Sequence, residues 1–130
     1  MKKVLVFGSF DVIHPGHLYF FREAHKYGDS LTVVVARDKT IREVKGKDPI
    51  NPESRRLENV GNLSIVDRAI IGNDGDKYRV IQDVHPDVIC LGYDQDSFSD
   101  KLSIKLKELG LDIPVFRLRK YIRPGWRQAS

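Results

Sequence analysis

Two histidines near the start of the chain have the clearest capacity for chemistry. His14 and His17 lie in the stretch FGSFDVIHPGHLYF (7–20), where an apolar run ends. An imidazole can donate a hydrogen bond, and it can carry a positive charge near neutral pH. A nearby phosphate group favours the charged form and so raises the imidazole pKa. The pair is therefore suited to stabilise the charge that develops on phosphate oxygens during phosphoryl or nucleotidyl transfer.

The residues next to the histidines favour an anion-binding site. Pro15 suits the first turn of a helix, and there the backbone N–H groups of Gly16 and His17 lack helical acceptors. Such groups attract anions, together with the helix dipole. Gly16 would let a ligand approach the backbone, and Gly8 would let the chain turn sharply after the preceding strand. We therefore predict a phosphate site where the first helix begins.

Other uses of two histidines at this spacing stay open. A zinc site needs three or four protein ligands, and candidates such as His25 and Cys90 are distant in sequence. The histidines could also be structural side chains whose hydrogen bonds are satisfied within the fold. A Walker-type phosphate loop is excluded, because no Gly-Lys-Ser/Thr follows the first apolar run.

Apolar runs and helical spacings alternate along the chain. Apolar residues at helical spacing predict helices after the histidine pair and around Val60, Ile81 and Leu106. Strands without polar alternation are typical of a parallel sheet that is covered on both faces. The sequence therefore predicts an α/β fold with a doubly wound, mainly parallel five-stranded sheet, whose ligands bind at the carboxyl ends of the strands. The five apolar runs place the strands at residues 3–8, 30–36, 66–72, 87–92 and 113–118.

A long polar stretch, RDKTIREVKGKDPINPE (37–53), separates the second strand from the next helix. It is predicted to be a loop, because it contains Gly46 and two prolines. Residues 38–52 of this stretch are expected to form a lid that closes over a bound phosphate compound, with Lys45 as its main contact. At its end, Asn51 is predicted to cap a helix whose first turn contains Pro52.

Composition is that of an ordinary globular chain, with 41% hydrophobic and 31% charged residues. A length of 130 residues predicts a single domain, 1–130. Cys90 is the only cysteine and lies in an apolar run, so it is predicted to be buried and cannot form an intrachain disulfide. The first residues lack the apolar core of a signal peptide, so a cytoplasmic protein is expected.

The formal net charge is +4, and a basic stretch without acidic residues spans RLRKYIRPGWR (117–127). Such a stretch could meet the phosphate of a small ligand. Because Tyr121 and Trp126 are interleaved with the basic residues, a nucleic-acid-binding module is a second hypothesis from a different class. That hypothesis would leave the histidine block without a role.

The block G-S-F-D-x-x-H-P-G-H (8–17) resembles the signature of the HxGH nucleotidyltransferases, in their cytidylyltransferase-like branch. The resemblance continues along nearly the whole chain, in the order and spacing of the archaeal FAD synthases of that family. It implies a Rossmann-like nucleotidyltransferase fold. The further matching segments are VVVARD, KGKDPI, PESRR, VDRAIIG and LGYDQ.

The resemblance also implies roles for single residues. His14 and His17 match the catalytic pair that stabilises the transferring phosphate. Lys45 matches a catalytic lysine that reaches over the triphosphate, and Lys47 is an alternative for it. The implied nucleotide-binding residues are Gly8, Ser9 and Phe10 of the phosphate loop, Gly16, Asp94 for the nucleoside, and Arg119 for phosphate.

Three other matches carry less specific implications. Asp11 matches the acid of the signature block, and it could equally cap or orient the loop. Arg55 and Arg56 match a basic pair at a helix start and are expected to be partly structural. The family also has a Ser/Thr-rich motif shortly after the matching arginine. Here the chain reads KYIRPGWRQAS, and Ser130 matches the first residue of that motif.

The implied reaction is in-line attack of a substrate phosphate on the α-phosphate of a nucleoside triphosphate, with release of pyrophosphate. The resemblance implies ATP and FMN as substrates, FAD as product, and a homodimer. Tyr121 and Trp126 could stack on the isoalloxazine ring. The alternative is CTP with glycerol 3-phosphate or a similar phosphorylated alcohol. The sequence shows no dedicated metal cage, so the expected cofactor is Mg²⁺ carried on phosphate oxygens.

Overall fold

The computed structural model of the chain describes residues 1–76 and 78–122, and for residues 96–99 it describes the helical backbone alone. Strands and helices alternate along it, apart from two consecutive helices after the second strand. The elements are β1 (Lys3–Gly8), α1 (Pro15–His25), β2 (Ser30–Val35), α2 (Asp38–Lys45), α3 (Glu53–Gly61), β3 (Arg68–Ile71), α4 (Arg79–Val84), β4 (Val88–Leu91), α5 (Asp96–Glu108) and β5 (Val115–Arg117).

The five strands form one parallel sheet in the order β3-β2-β1-β4-β5. All five predicted strands are present, and their ends differ from the prediction by one or two residues at most. β1 is central and pairs with β2 along its whole length, from Lys3 opposite Ser30 to Gly8 opposite Val35. Because the strands are parallel, their carboxyl ends meet at one edge of the sheet. The predicted fold class is confirmed.

Helices cover both faces of the sheet, as the apolar strands require. Val4 and Val6 of β1 pack in a buried cluster with residues of α1 and α3. Leu5 faces the other way and packs with residues of α4 and α5. Cys90 is buried as predicted, and burial raises the pKa of its thiol to about 12, so the thiol is protonated at neutral pH.

The prediction of a loop across residues 37–53 is wrong, because the segment contains α2. The helix buries Ile41 and ends at Gly46, which adopts a left-handed conformation with φ of 74°. This is the usual conformation of a glycine that ends a helix. Gly46, which was interpreted as a break within a loop, therefore ends a helix. Residues 46–52 of the predicted loop remain irregular.

The start of α3 also differs from the prediction. Pro52, not Asn51, is the N-cap residue, and no side chain caps the first turn. Asn51 instead donates a side-chain hydrogen bond to the backbone carbonyl of Asp11. Its amide group therefore joins two loops rather than starting a helix.

In the described part of the chain, no helix combines the length and the apolar character needed to cross a bilayer.

Candidate active site

The two histidines begin α1, and each imidazole accepts a hydrogen bond from a nearby backbone N–H group. His14 is the N-cap residue, and its Nδ1 accepts a hydrogen bond from the backbone N–H of Gly16 at 3.1 Å. The Nδ1 of His17 accepts from the backbone N–H of His14 at 3.4 Å, which completes a reciprocal capping box. A neutral imidazole that accepts through Nδ1 carries its proton on Nε2. We infer that the His14 ring has an Nε2–H group with which it can donate to a ligand, whereas the His17 ring also forms a hydrogen bond with the backbone of Val12.

The two imidazoles are stacked, with ring centroids 3.8 Å apart and planes inclined by 21°. Burial and the neighbouring His14 ring lower the pKa of His17 to about 4, and the Asp94 carboxylate opposes them only in part. His17 is therefore neutral near pH 7 and acts as a hydrogen-bond donor rather than a cation. An anion bound beside it would favour its protonated form.

The prediction that free backbone amides form the anion site is wrong. The Gly16 N–H is taken by His14 Nδ1, and the His17 N–H donates to the His14 carbonyl at 2.9 Å. The need for glycine at position 16 also has another cause. A Cβ there would lie 2.8 Å from Cε1 and 3.0 Å from Nδ1 of His14. Gly16 thus makes room for the capping imidazole.

The phosphate-loop residues Gly8, Ser9 and Phe10 follow β1 at the centre of the sheet edge. Phe10 has a φ of 47°, an unfavourable conformation for a bulky residue, and its ring is buried. A Cβ on Gly8 would lie 2.5 Å from Cζ of that ring, so glycine is required for the ring to fold back over the strand. The ring meets His17 edge-on, with centroids 5.2 Å apart. Phe10 therefore supports the imidazole from within the core.

A cavity of about 1310 Å³ opens along the carboxyl edge of the sheet. It is in this cavity that the tertiary structure brings together all nine residues expected to act in catalysis or nucleotide binding. The predicted site residues that line it are Gly8, Ser9, Phe10, His14, Gly16, His17, Lys45, Asp94 and Arg119.

The two candidate lysines differ in their position relative to this cavity. Lys45, in the last turn of α2, lines it and donates a hydrogen bond from Nζ to Ser9 Oγ at 3.4 Å. Lys47 is exposed beyond the end of the helix and is not part of the lining. The geometry therefore favours Lys45 as the lysine that meets a ligand.

A glutamine that was not predicted orders the cavity wall near Asp94. Gln95 Oε1 accepts from the backbone N–H of Gly92 at 2.7 Å, and its Nε2 donates to the Phe7 carbonyl at 3.2 Å. The side chain thus joins the ends of β1 and β4, and Asp94 lies exposed beside it. The segment LGYDQ contains the glutamine and Gly92, but the partner 88 residues away, Phe7, cannot be deduced from the segment.

Asp11 lies outside the cavity and orients a loop, one of the two roles considered for it. Its carboxylate accepts from the backbone N–H groups of Ile50 at 2.7 Å and Asn51 at 2.8 Å. Burial acts to raise the Asp11 pKa, but these two hydrogen bonds and the nearby Arg56 outweigh it, so the pKa is lowered. The carboxylate remains charged at neutral pH and fixes the segment that follows α2.

Arg56 is fully buried and connects the loop after β1, the end of β2 and the segment before α3. Its guanidinium donates to the carbonyls of Ser9 at 2.9 Å, Ala36 at 2.7 Å and Asn51 at 3.0 Å. It also forms an ion pair with Asp38, in which Nη2 lies 2.7 Å from Oδ1. The expectation of a partly structural basic pair thus holds for Arg56, whereas Arg55 is exposed.

Arg119 and Tyr121 follow β5 in the chain and also line the cavity. The Tyr121 ring packs against that of Tyr19, with centroids 5.5 Å apart. Trp126, Ser130 and the end of the basic stretch lie outside the described residues. Within the described residues, no three histidine, cysteine, aspartate or glutamate side chains form a cluster that could hold a metal ion.

The low pKa of His17 predicts a pH-dependent stability. It is about 4 in the folded chain, against 6.5 as the ordinary value. The unfolded chain therefore takes up the proton first, so the stabilising contribution is full above about pH 6.5 and is lost as the pH falls towards about 4. His17→Gln lacks this titration. We expect its free energy of unfolding to fall less than that of the wild type between about pH 7.5 and about pH 4.5.

Urea denaturation of both chains at the two pH values measures this difference. An NMR titration of His17 provides the direct check, and a midpoint at the ordinary histidine value would contradict the prediction.

The sheet order defines a Rossmann-like α/β protein, with a cavity at the carboxyl edge where such sheets bind ligands. The sequence profile of the cytidylyltransferase-like family matches residues 5–125. The chain belongs to this family, and it is a nucleotidyltransferase by fold and by sequence.

Individual relatives agree with this assignment. The chain is 45% identical to the FAD synthase of Aciduliprofundum boonei over 93% of this chain and 80% of the relative. It is 47% identical to the FAD synthase of Methanohalophilus mahii over 92% of this chain and 83% of the relative.

Two solved structures have a similar fold. A protein of Thermoplasma volcanium, described as a lipopolysaccharide core biosynthesis protein, superposes with a TM-score of 0.89 at 43% identity, over 94% of this chain and 99% of that one. A pantoate-beta-alanine ligase of Francisella tularensis superposes with a TM-score of 0.68 at 13% identity, over 95% of this chain and 60% of that one. The second likeness concerns the fold alone.

Proposed function

We propose that the chain transfers AMP from ATP to FMN, giving FAD and pyrophosphate. The observation that carries the chemistry is the stacked His14–His17 pair at the start of α1, where both imidazoles line the cavity. The FAD synthases that it resembles over most of their length support the choice of substrates. An oxygen of the FMN phosphate attacks the α-phosphorus of ATP as the bond to the β-phosphate oxygen breaks.

The residues around the pair take complementary roles in this proposal. The two imidazoles donate to the α-phosphate oxygens as charge develops there. Lys45, held near Ser9, provides a positive charge for the triphosphate, and Arg119 contacts phosphate with its planar guanidinium. Asp94, an exposed carboxylate, accepts hydrogen bonds from the nucleoside.

The loop at Gly8, Ser9 and Phe10 supplies the surface on which the nucleotide phosphates lie. Gly16 acts indirectly, by allowing the ring of His14 to cap the helix. No covalent enzyme intermediate is required. Catalysis then rests on positioning and charge stabilisation.

A divalent cation, which we propose to be Mg²⁺, would arrive with the triphosphate. The possible ligands fit an ion of this kind. Asp94 contributes a single carboxylate to the cavity lining, and the described residues form no cluster of three or more metal ligands. Mg²⁺ commonly keeps several waters and binds through substrate phosphates with one or two carboxylates. When bound, the ion would neutralise charge on the phosphates.

The substrates can be tested by pyrophosphate release with Mg²⁺ present. We expect release with ATP and FMN, together with FAD detected by its absorbance after chromatography. Each of ATP and CTP should be combined with each of FMN and glycerol 3-phosphate. Release confined to CTP with glycerol 3-phosphate would contradict the proposal and favour the alternative cytidylyltransferase activity.

We propose in addition that two copies associate. β3 is an edge strand, and its Ala69, Ile70 and Ile71 are only partly buried, so a second copy could cover them. Sedimentation equilibrium would reveal the mass of a dimer. The cytoplasmic location and the single domain expected from the sequence stay predictions, and so does the absence of a nucleic-acid partner.

A further inference from the structure

The strands β1 and β4 are neighbours at the centre of the sheet, and they separate towards their carboxyl ends. Their pairing ends at Leu5 and Ile89 after two residue pairs, whereas β1 pairs with β2 along its whole length. The helices that follow the two strands lie on opposite faces, α1 in one buried cluster and α5 in the other. Ligands of open α/β sheets bind at such a point. The geometry of these two strand ends therefore bears directly on ligand binding.

The carboxamide of Gln95 connects the two strand ends beyond this pairing. It accepts from the Gly92 N–H at the end of β4 and donates to the Phe7 carbonyl in β1. One partner is a donor and the other an acceptor, so the bridge needs a group that does both. A carboxamide offers both functions, whereas an ionised glutamate of the same length can only accept. The two partners therefore require glutamine rather than glutamate at this position.

Gln95 also closes the turn that contains Asp94. Its backbone N–H donates to the Gly92 carbonyl at 3.2 Å, while its side chain binds the Gly92 N–H. Tyr93 and Asp94 are the two central residues of this four-residue turn. The path of the chain at Asp94 thus depends on Gln95.

The Asp94 carboxylate lies close over the backbone of Gly92. A Cβ on Gly92 would lie 3.2 Å from Asp94 Oδ1 and 3.5 Å from Gln95 Oε1. Gly92 has no positive φ, so it is this close approach that favours glycine. The carboxylate also acts to raise the pKa of His17, against the effect of burial. Asp94 therefore lies within electrostatic reach of the proposed catalytic imidazole.

We propose that Gln95 is a positioning residue, which sets the place of the Asp94 carboxylate by bridging the ends of β1 and β4. It acts through Asp94, because both polar groups of its own side chain are bonded to the backbone. This inference rests on the proposed function, in which Asp94 accepts hydrogen bonds from the nucleoside of ATP. Arg119 and Lys120 line the same cavity, so the test measures nucleotide and FMN binding separately.

Gln95→Met tests the bridge, because methionine keeps the length of the side chain and removes both hydrogen bonds. We expect it to weaken the binding of ATP with Mg²⁺ by about tenfold, the usual scale for one hydrogen bond to a charged group. Calorimetry without FMN measures this affinity in the absence of turnover. In steady-state kinetics the KM for ATP should rise by a similar factor, with kcat and the KM for FMN within about twofold of the wild type.

A double-mutant cycle with Asp94→Ala separates positioning from a merely structural role. If Gln95 acts through the carboxylate, its replacement has little left to change once the carboxylate is gone. The double variant should therefore bind ATP with Mg²⁺ within about twofold of Asp94→Ala alone. Gly92→Ala reaches the same carboxylate from the other side, by crowding it. It should weaken ATP binding in the wild-type chain and not in Asp94→Ala.

The chain offers a matched control for each variant. Gln82→Met replaces an exposed glutamine of α4 that does not line the cavity. Gly61→Ala adds a side chain at the end of α3, where a Cβ would meet its nearest neighbour, Ala69 Cβ, at 3.7 Å. Both should bind ATP as the wild type does. Urea denaturation of every variant shows whether it is folded.

Three results would overturn the inference. The first is a folded Gln95→Met chain with the wild-type affinity for ATP. The second is a further tenfold loss when Gln95→Met is added to Asp94→Ala, because Gln95 would then act independently of the carboxylate. The third is weaker binding of FMN with unchanged binding of ATP, which would assign the turn to the acceptor.

Failure of the proposed function would be recognised separately. A wild-type chain that binds ATP but makes no FAD would overturn the proposed reaction, while the binding cycle would still decide the role of Gln95. A wild-type chain that binds CTP with Mg²⁺ and not ATP would overturn the choice of nucleotide. The same cycle with CTP would then support or overturn the positioning role by the same criteria.

Discussion

Replacing His17 with alanine is expected to lower the kcat for FAD formation by about 10²–10³-fold, or roughly 2.7–4 kcal/mol, which is the usual effect of removing one donor to a developing oxyanion. His17 is half-buried beside Phe10, and its imidazole lines the cavity next to that of His14. The loss should fall on kcat more than on the KM for ATP, because the donor acts most strongly in the transition state.

Steady-state kinetics with ATP and FMN measure this effect, and His25→Ala provides the control. His25 is also an imidazole on α1, but it pairs with Asp67 at 3.0 Å and lies away from the cavity. Because His17 also contributes to the capping box, its variant should be about 1 kcal/mol less stable than the wild type and still folded. A folded His17→Ala chain with a kcat near that of His25→Ala would remove His17 from the catalytic machinery.

Replacing Arg56 with alanine is expected to destabilise the chain by about 3–5 kcal/mol, because it leaves the partly buried Asp38 carboxylate without its ion-pair partner. It also leaves the Ser9, Ala36 and Asn51 carbonyls without the donor that Arg56 provides. Arg56→Lys should recover only part of the loss. An ammonium keeps the charge but lacks the planar geometry with which arginine reaches several acceptors.

The neighbouring arginine gives a control of the same type. Arg55 is exposed one residue earlier, so Arg55→Ala should change the free energy of unfolding by no more than about 0.5 kcal/mol. Urea denaturation at neutral pH compares the three variants. Equal stability of Arg55→Ala and Arg56→Ala would mean that the buried network contributes nothing to the fold.

Most of the fold could be predicted from the sequence, because its signals are local. The apolar runs that became β1 to β5 are bounded by polar residues or glycine, and their lack of alternation reflects burial on both faces. The arrangement of His14 and His17 is local as well. The N-cap residue, the proline after it, the glycine and the second histidine lie within a single helical turn. Adjacent residues therefore determine the capping box.

α2 was not predicted from the sequence, for a physical reason. Its eight residues include only Ile41 and Val44 as apolar side chains, and a helix this short is not stable in isolation. Burial of Ile41 and the anchoring of Asp38 by Arg56 hold it in place. Gly46 was the local signal for the end of a helix, but a glycine is equally common in a loop.

The tertiary structure alone decided which residues meet at the cavity. Arg56 contacts a carbonyl 47 residues away, and Gln95 contacts one 88 residues away. Such pairs form because the order β3-β2-β1-β4-β5 brings the carboxyl ends of the strands to one edge. The sequence determined the strands, the capping box and the family. Packing of these elements sets the distances between residues that are far apart in the chain. It therefore decides where in the cavity each charged or apolar side chain lies.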